Sequence, residues 1–180
     1  MSCVDPIKNK SDLKKLKEYF YKKSKRDYVL FCLGINCGLR ISDILRLNVK
    51  NVKNKNYIEI YEKKTGKYKR FPLNAKLKIL LGNYTKDKDI NSALFQTIYN
   101  NRMDRFTAYK ILNKACIETN ININIGTHTL RKTFGYHFYK KFKDIILLQK
   151  IFNHSTPNVT LRYIGLEQEE IDNKYLQFIL

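Results

Sequence analysis

The stretch Gly126-Thr-His-Thr-Leu-Arg-Lys-Thr-Phe-Gly135 is the most informative segment of this 180-residue sequence. Thr127 is of a residue type that caps helices, and apolar residues recur after it at helical spacing. This pattern predicts a helix that begins at His128. His128 and Arg131 would then share one face of the first turn, beside unpaired backbone N–H groups and the positive end of the helix dipole. A helix start of this composition is suited to bind a phosphate group.

The His-x-x-Arg pair is a weak signal by itself, because the same spacing occurs at helix starts where the histidine packs and the arginine is solvated. Segments on both sides of it strengthen the chemical interpretation. Gly-Leu-Arg-Ile-Ser-Asp-Ile lies upstream at residues 38–44, and Asn-His-Ser at 153–155 and Leu-Arg-Tyr-Ile-Gly at 161–165 lie downstream. Each segment adds an arginine, a histidine or a tyrosine to the candidate site.

The chain carries 35 lysine and arginine residues against 16 acidic ones, which gives a formal net charge of +19. These charges are spread along the sequence rather than collected in a tail, so the folded surface itself must be positive. A polyanion is therefore the expected partner. The charge alone also fits a ribosome-associated protein, a chaperone-like RNA binder, or a protein that is merely rich in lysine. At 43% hydrophobic residues, the chain has enough apolar content to bury a core.

The sequence contains no segment typical of a membrane protein. Its longest apolar run, residues 29–35, is far shorter than a membrane span. Polar residues follow Met1, where a signal peptide would be apolar. We therefore expect a cytoplasmic protein that does not bind membranes.

The cysteines and histidines predict neither a disulfide framework nor a metal centre. The sequence has no C-x-x-C pair, no H-E-x-x-H motif and no cluster of cysteine with histidine. We interpret the cysteines as reduced residues that pack in the interior, and we expect no metal and no cofactor. The residues concerned are Cys3, Cys32, Cys37, Cys116, His128, His137 and His154.

Helical periodicity dominates the sequence, with one interruption. Ser11 is predicted to cap a first helix, and an almost wholly apolar second helix runs from Tyr28 to Cys37 and ends at Gly38. Period-two alternation predicts an antiparallel hairpin with strands at 56–61 and 67–73, and 48–53 is a candidate third strand. Further helices are predicted from Ser42 and at residues 75–81, 105–118, 128–140, 145–152, 159–163 and 167–178. The expected fold is α+β and mainly helical, with one small antiparallel sheet, in a single domain of residues 1–180.

Six residues, together with their flanking motifs, resemble the catalytic domain of the tyrosine recombinase, or phage integrase, family. They are, in chain order, Arg40, Lys64, His128, Arg131, His154 and Tyr163. The resemblance runs from about Asp12 to the C-terminus. It implies the tyrosine recombinase catalytic-domain fold. It also implies an enzyme that cuts and rejoins DNA at specific sites through a 3′-phosphotyrosine intermediate, without a metal or a high-energy cofactor.

Chemistry accounts for the residue types at four of these positions. Cleaving a phosphodiester without a metal requires a nucleophile, cations around the phosphate oxygens and an acid for the leaving oxygen. Tyr163 is the candidate nucleophile, and His128 is the candidate base toward it. Arg40 and Arg131 stay charged at any working pH and can each bind two oxygens, so they are expected to clamp the scissile phosphate.

The other positions have supporting roles. His154 is expected to donate a hydrogen bond to a phosphate oxygen. Lys64, at the tip of the hairpin, is the candidate acid for the 5′-oxygen, although the neighbouring Lys63 and Lys67 are alternatives. Asp43 follows Arg40 by one helical turn and is expected to orient an arginine from behind the site, or to interact with the dipole of its own helix.

The resemblance also implies the partners: double-stranded DNA, further copies of the chain forming a tetramer in synapsis, accessory DNA-bending proteins, and hence a nucleoid-associated location. Most family members carry an N-terminal core-binding domain, for which this sequence has no room. Residues 166–180 are expected to form a tail helix that docks on a neighbouring protomer or folds back in cis. Two other functions remain open, namely a type IB topoisomerase that relaxes DNA and a non-catalytic DNA-binding regulator with the same fold.

Overall fold

The computed structural model describes residues 4–166 and 175–179. Eight α-helices, one short 3-10 helix and one two-stranded sheet make up the named elements of this part of the chain. The helices are α1 (Lys10–Lys23), α2 (Lys25–Cys37), α3 (Ile41–Arg46), α4 (Ala75–Thr85), α5 (Arg105–Glu118), α6 (Thr129–Phe142), α7 (Ile145–Phe152) and α8 (Pro157–Tyr163). The strands are β1 (Tyr57–Tyr61) and β2 (Tyr68–Pro72).

Helix α2 lies at the centre of the larger core because it is apolar on nearly every face. Val29, Phe31 and Leu33 are fully buried, and the helix packs against α1, α3, α4 and α6. Gly34 makes the approach to α6 possible, since a Cβ at this position would collide with Leu130. Helix α6, which carries the central motif, is thereby fixed against the most buried helix of the protein.

The end of α2 sets the position of the first arginine. Gly38 adopts a left-handed conformation with φ of 63°, which favours glycine, and a Cβ there would collide with the ring of Phe134. The chain then turns through Leu39 and begins α3, with Arg40 as the residue that precedes the first helical turn. The glycine therefore directs Arg40 toward the start of α6.

A second, smaller core joins α6, α7 and α8. It contains Tyr136, Leu148, Phe152, Ile164 and Leu166. Because α8 ends at Tyr163 and Ile164 is fully buried in this cluster, the cluster fixes the position of Tyr163 relative to α6.

The hairpin of β1 and β2 pairs in antiparallel register, with Ile58 opposite Phe71 and Tyr61 opposite Tyr68. Ile58 and Phe71 point into the larger core, while Tyr61 and Tyr68 are exposed on the outer face. This alternation is the pattern expected of a sheet with one buried face. The loop 62–67 joins the strands beside the candidate site.

The structure confirms the α+β, mainly helical fold with a small antiparallel sheet, and it confirms the bounds of α5 and α7. The third strand predicted at 48–53 is wrong: Val49–Asn51 is a 3-10 turn, and only Asn48 forms an isolated bridge, to Ala93. The side chains of Asn48 and Asn51 cap this turn reciprocally. Local side-chain hydrogen bonds thus compete successfully with strand pairing.

Several predicted helix starts, and one predicted helix end, are also wrong by a few residues. The first helix begins at Lys10 with Asn9 at the N-cap, not Ser11. The second begins at Lys25, where the Ser24 side chain accepts a hydrogen bond from the Asp27 N–H. Helix α6 begins at Thr129, so His128, and not Thr127, occupies the N-cap. The predicted helix 75–81 continues to Thr85.

Two expectations fall wholly or largely outside the described residues. Most of the predicted helix 167–178 lies in residues 167–174, and Cys3 precedes the described chain. The other three cysteines are reduced and buried, as predicted. Among the described residues, no helix is long and apolar enough to cross a membrane.

Candidate active site

Arg131 is the most deeply buried cation of the site, with 2% of its surface exposed. Its guanidinium donates hydrogen bonds to the Gly38 carbonyl (2.5 Å) and the Phe152 carbonyl (2.9 Å), and it lies 4.3 Å from the centre of the Phe152 ring. Burial lowers the pKa of the guanidinium, but arginine remains protonated in proteins. Arg131 thus ties together the ends of α2 and α7 and holds a fixed positive charge in the centre of the site.

Arg40 is oriented by a buried carboxylate. Its guanidinium donates to Glu62 Oε1 at 2.6 Å, and the Glu62 side chain is fully buried. The other oxygen of Glu62 accepts a hydrogen bond from the Thr65 hydroxyl at 2.8 Å, and Lys69 Nζ lies 3.9 Å from Oε1. Glu62 therefore links Arg40 to the hairpin loop that contains Lys64.

Tyr163 and His128 are in direct contact. The phenolic oxygen of Tyr163 lies 3.2 Å from Nδ1 of His128, a hydrogen bond whose direction depends on the histidine tautomer. Burial raises the pKa of the Tyr163 phenol, while Arg131 and Arg40 act in the opposite direction. The hydroxyl is therefore protonated at neutral pH and has a nitrogen base beside it.

His154 lies on the other side of the tyrosine ring. The centres of the two rings are 5.0 Å apart, at an angle of 71°. Nδ1 of His154 is 3.1 Å from the Thr160 hydroxyl, and its backbone N–H donates to the Gln149 carbonyl. The short turn between α7 and α8 therefore holds this imidazole against Tyr163.

Lys64 lies in the hairpin loop and is exposed to solvent. It lines a cleft of about 710 Å³ together with Arg40 and His128. The other basic residues along this cleft are Arg46, Lys63, Arg102 and Arg105. The structure thus brings all six predicted site residues to one region, with an open, positively lined cleft leading to it.

Both histidines are neutral at physiological pH. Burial, followed by the charges of Arg131 and Arg40, lowers the pKa of His128 below its ordinary value. The same causes in the same order lower the pKa of His154 to about 4. A neutral His128 can accept a proton, which is the state that a general base requires.

Asp43 has a different contact from the one expected. One of its carboxylate oxygens accepts a hydrogen bond from the Lys63 backbone N–H at 3.0 Å, and the other is buried without a hydrogen-bond partner among the described residues. The carboxylate that binds Arg40 is Glu62. Asp43 therefore anchors the hairpin loop to α3 and, through its charge, also acts to raise the pKa of Arg131; its orienting of an arginine stays a prediction.

The sequence patterns did not single out Glu62 and Lys69, although a signal was available. In the alternating pattern of the hairpin, Glu62 falls on the same face as Ile58 and Ile60, and Lys69 falls on the same face as Phe71. Both charged residues are thus assigned to the inner face of the hairpin, where a charge needs a partner. Burial lowers the pKa of Lys69, which donates to the Ile151 carbonyl at 2.5 Å.

Replacing Glu62 by glutamine is expected to slow DNA cleavage by roughly tenfold and to lower the free energy of unfolding by about 1–3 kcal/mol. Burial raises the pKa of Glu62, but Thr65, Lys69 and Arg40 together lower it below its usual range, so the group is charged. Glutamine keeps the shape but loses the charge that orients Arg40. Urea unfolding and single-turnover cleavage measure the two effects. Glu59→Gln, at an exposed position of the preceding strand β1, is the control, and equal effects at both positions would contradict the role of Glu62.

The lowered pKa of His154 predicts a pH dependence of stability. The unfolded chain binds a proton on this imidazole near pH 6.5, whereas the folded protein binds it only near pH 4. The unfolded state is therefore favoured as the pH falls through this window, and the free energy of unfolding decreases. Urea unfolding at several pH values between 7 and 4 measures this slope. The slope is expected to be smaller in His154→Asn, and an identical slope in both proteins would contradict the assignment.

The sequence comparisons agree on the class of protein. Residues 9–170 match the phage integrase family. The chain is 45% identical to the probable integrase/recombinase YoeC of Bacillus subtilis (strain 168) over 179 residues, which cover 99% of this chain and 98% of that protein. Other curated relatives are longer, and the chain spans 51% to 59% of their length.

Solved structures show the same fold. The XerA recombinase superposes with a TM-score of 0.79 at 21% identity, over 98% of this chain and 66% of that one. The catalytic domain of bacteriophage HP1 integrase superposes with a TM-score of 0.68 at 22% identity, over 94% and 92% of the two chains. Other matching structures, with TM-scores of 0.68 to 0.74, are recombinases or integrases bound to DNA.

The fold is therefore that of a tyrosine recombinase catalytic domain. The family match and the recombinase relatives show that the chain is of the class of enzymes that break and rejoin DNA. The chain belongs to the phage integrase family. The family expected from the six residues and their motifs is thus confirmed.

Proposed function

We propose that this protein is a site-specific DNA recombinase or integrase that cuts and rejoins DNA through a 3′-phosphotyrosine intermediate, with no metal and no high-energy cofactor. The contact between the Tyr163 hydroxyl and His128 Nδ1, at 3.2 Å, carries this proposal. A phenol beside a neutral imidazole, with two arginines nearby, is the arrangement that phosphoryl transfer to a tyrosine requires.

The cleavage step starts with the phenolic oxygen of Tyr163. This oxygen attacks the scissile phosphorus and gives its proton to His128. The bond from phosphorus to the 5′-oxygen breaks, and that oxygen takes a proton from Lys64 to become a free 5′-hydroxyl. Reversing these transfers with a new 5′-hydroxyl rejoins the strand, so the phosphotyrosine bond conserves the energy of the original phosphodiester.

The arginines and His154 stabilise the charge on the phosphate oxygens as the bond to Tyr163 forms. Arg131 is fixed by two carbonyl groups and Arg40 by Glu62. Their charges are thus in place before DNA arrives, and little reorganisation is needed in the transition state. In the tautomer in which Nδ1 of His154 accepts from the Thr160 hydroxyl, the proton is on Nε2, which can donate to a phosphate oxygen.

Lys64 is the proposed acid because of where its loop is held. Asp43 binds the Lys63 N–H, and Glu62 binds the Thr65 hydroxyl, so the residues on both sides of Lys64 are anchored next to Arg40. Its own side chain is exposed in the cleft and has room to reach a leaving oxygen on bound DNA. In the DNA-free protein, the Lys67 ammonium donates a hydrogen bond to the Asn153 side chain and is therefore already engaged.

The partners follow from this function. The charge of +19 and the basic cleft support binding of double-stranded DNA. We propose that recombination occurs in a tetramer on two paired sites, assisted by accessory DNA-bending proteins, on the DNA of the nucleoid in the cytoplasm. The C-terminal tail would dock on a neighbouring protomer, since Tyr175, Leu176 and Phe178 expose apolar surface in its described part.

Covalent trapping tests the function. A nicked suicide substrate, drawn from DNA around the gene, is incubated with the protein in EDTA and analysed on a denaturing gel. The expected result is a covalent protein–DNA band that persists in EDTA. A band that requires a divalent metal, or no band on any substrate, would contradict the proposal. Relaxation of supercoiled DNA without joining of two sites would instead favour the topoisomerase alternative.

A further inference from the structure

Lys132 is a buried lysine that has no part in the mechanism described so far. It follows Arg131 on α6, and 6% of its surface is exposed. Its ammonium donates to the Val4 carbonyl at 2.7 Å and lies 5.3 Å from the centre of the Tyr163 ring. Lysine is almost never buried to this extent without specific partners, because removing its charge from water is costly. These contacts place a positive charge against the nucleophile.

The tyrosine ring is enclosed on several sides. Phe152, His154 and His128 meet it at angles of 77°, 71° and 84°. Lys132 lies over the ring itself. Three rings thus pack against the tyrosine ring at steep angles, and a cation lies over its π-face.

A short N-terminal segment, residues 4–8, holds Lys132 in this position. The Ile7 N–H donates to the Thr133 hydroxyl at 2.9 Å, and Ile7 is fully buried. Lys8 Nζ donates to the Gly165 carbonyl at 3.1 Å, just beyond Tyr163. The segment therefore connects α6 to the end of α8 and supplies the carbonyl group of Val4 that binds the Lys132 ammonium.

We propose that Lys132 is a positioning residue of the cleavage reaction, and this inference rests on the function proposed above. Its ammonium holds the Tyr163 ring and stabilises the negative charge that develops on the phenol as the proton leaves. A cation over an aromatic ring is attracted to its π-electrons, and the attraction grows when the ring gains negative charge. Because the interaction is stronger in the transition state than in the ground state, it accelerates cleavage. Lys132 keeps its own protons throughout.

The charge of Lys132 also acts on the base. Among the described residues, the charged and titratable groups around Tyr163 and its base are His128, Arg131 and Lys132 of α6, Arg40, His154, and, further out, Lys64 and Glu62. After burial and the two arginines, Lys132 is a further cause of the lowered pKa of His128. Removing its charge is therefore expected to raise the pKa of His128. With a higher pKa on the base, the increase of the cleavage rate with pH is expected to occur at higher pH than in the wild type.

The test compares Lys132→Gln, Lys132→Arg and Lys141→Gln in single-turnover formation of the covalent complex across a range of pH. Glutamine retains a donor for the Val4 carbonyl but loses the charge, and arginine retains the charge. Lys141 is an exposed lysine of the same helix and serves as the matched control. DNA binding by gel shift and unfolding by urea are measured for each protein. If the glutamine variant does not fold, Lys132→Met with the same measurements replaces it.

The expected result is a roughly tenfold slower cleavage by Lys132→Gln at neutral pH, with its pH profile moved to higher pH and DNA binding unchanged. Lys132→Arg should restore both the rate and the profile, and Lys141→Gln should match the wild type. A loss of rate that is equal at every pH, or a wild-type rate in Lys132→Gln, would overturn the inference. A wild-type protein that forms no covalent complex at all would instead refute the proposed function.

Discussion

Replacing Tyr163 by phenylalanine is expected to abolish the covalent protein–DNA complex while leaving the fold and DNA binding almost unchanged. The phenylalanine ring can keep the contacts with Phe152 and His154, so the second core remains packed. The substitution removes one oxygen atom, which is the proposed nucleophile and the partner of His128. No neighbouring hydroxyl belongs to the proposed mechanism, so the reaction has no alternative route.

The matched control is Tyr136→Phe, because Tyr136 belongs to the same apolar cluster as Tyr163. Denaturing gels detect the covalent complex, and gel shifts with urea unfolding report binding and stability. Tyr136→Phe should form the complex at the wild-type rate. A covalent band in Tyr163→Phe of wild-type intensity would show that another residue attacks the phosphate.

The second large effect is expected for Arg131→Lys, which should slow cleavage by about 10²–10³-fold and lower the free energy of unfolding by about 1–3 kcal/mol. Lysine keeps a positive charge but cannot present the planar fork that binds the Gly38 and Phe152 carbonyls together. One of these buried carbonyls would lose its donor. The remaining charge would also be free to move relative to the phosphate.

Arg26→Lys separates the two consequences. Arg26 lies in α2, donates to the Gln96 carbonyl at 2.8 Å and pairs with Asp27, so its replacement also removes hydrogen bonds to partly buried groups. It has no place in the proposed reaction. Urea unfolding and single-turnover cleavage, measured where each variant is folded, should show lower stability in both variants but slow cleavage only in Arg131→Lys. Cleavage by Arg131→Lys within about threefold of the wild type would contradict its role as a phosphate clamp.

Much of the fold was predictable because the hydrophobic periodicity of the helices is strong and local. Helix α7 matches its predicted bounds, since Asp144 caps its first turn through its side chain and apolar residues fill the helix. The ends of other helices were less predictable, because Asn9, Ser11 and Ser24 are all residue types that cap helices. Tertiary packing decides which of these residues caps the helix, and this packing cannot be predicted from a short stretch of sequence.

The residues of the candidate site were predictable for a different reason. The motifs at 38–44, 126–135, 153–155 and 161–165 specify residue types in a fixed order, and the fold brings them together. What joins them was not predictable from these motifs. The buried pair of Glu62 with Arg40 depends on the register of the hairpin against α3, and the contact of Lys132 with Tyr163 depends on how α8 packs on α6.

The residue that becomes attached to DNA identifies the nucleophile directly. The covalent complex from a suicide substrate is digested with a nuclease and a protease, and the modified peptide is sequenced by mass spectrometry. We expect a nucleotide linked through its 3′-phosphate to Tyr163. Attachment to any other residue, or linkage through a 5′-phosphate, would refute the proposed phosphotyrosine mechanism.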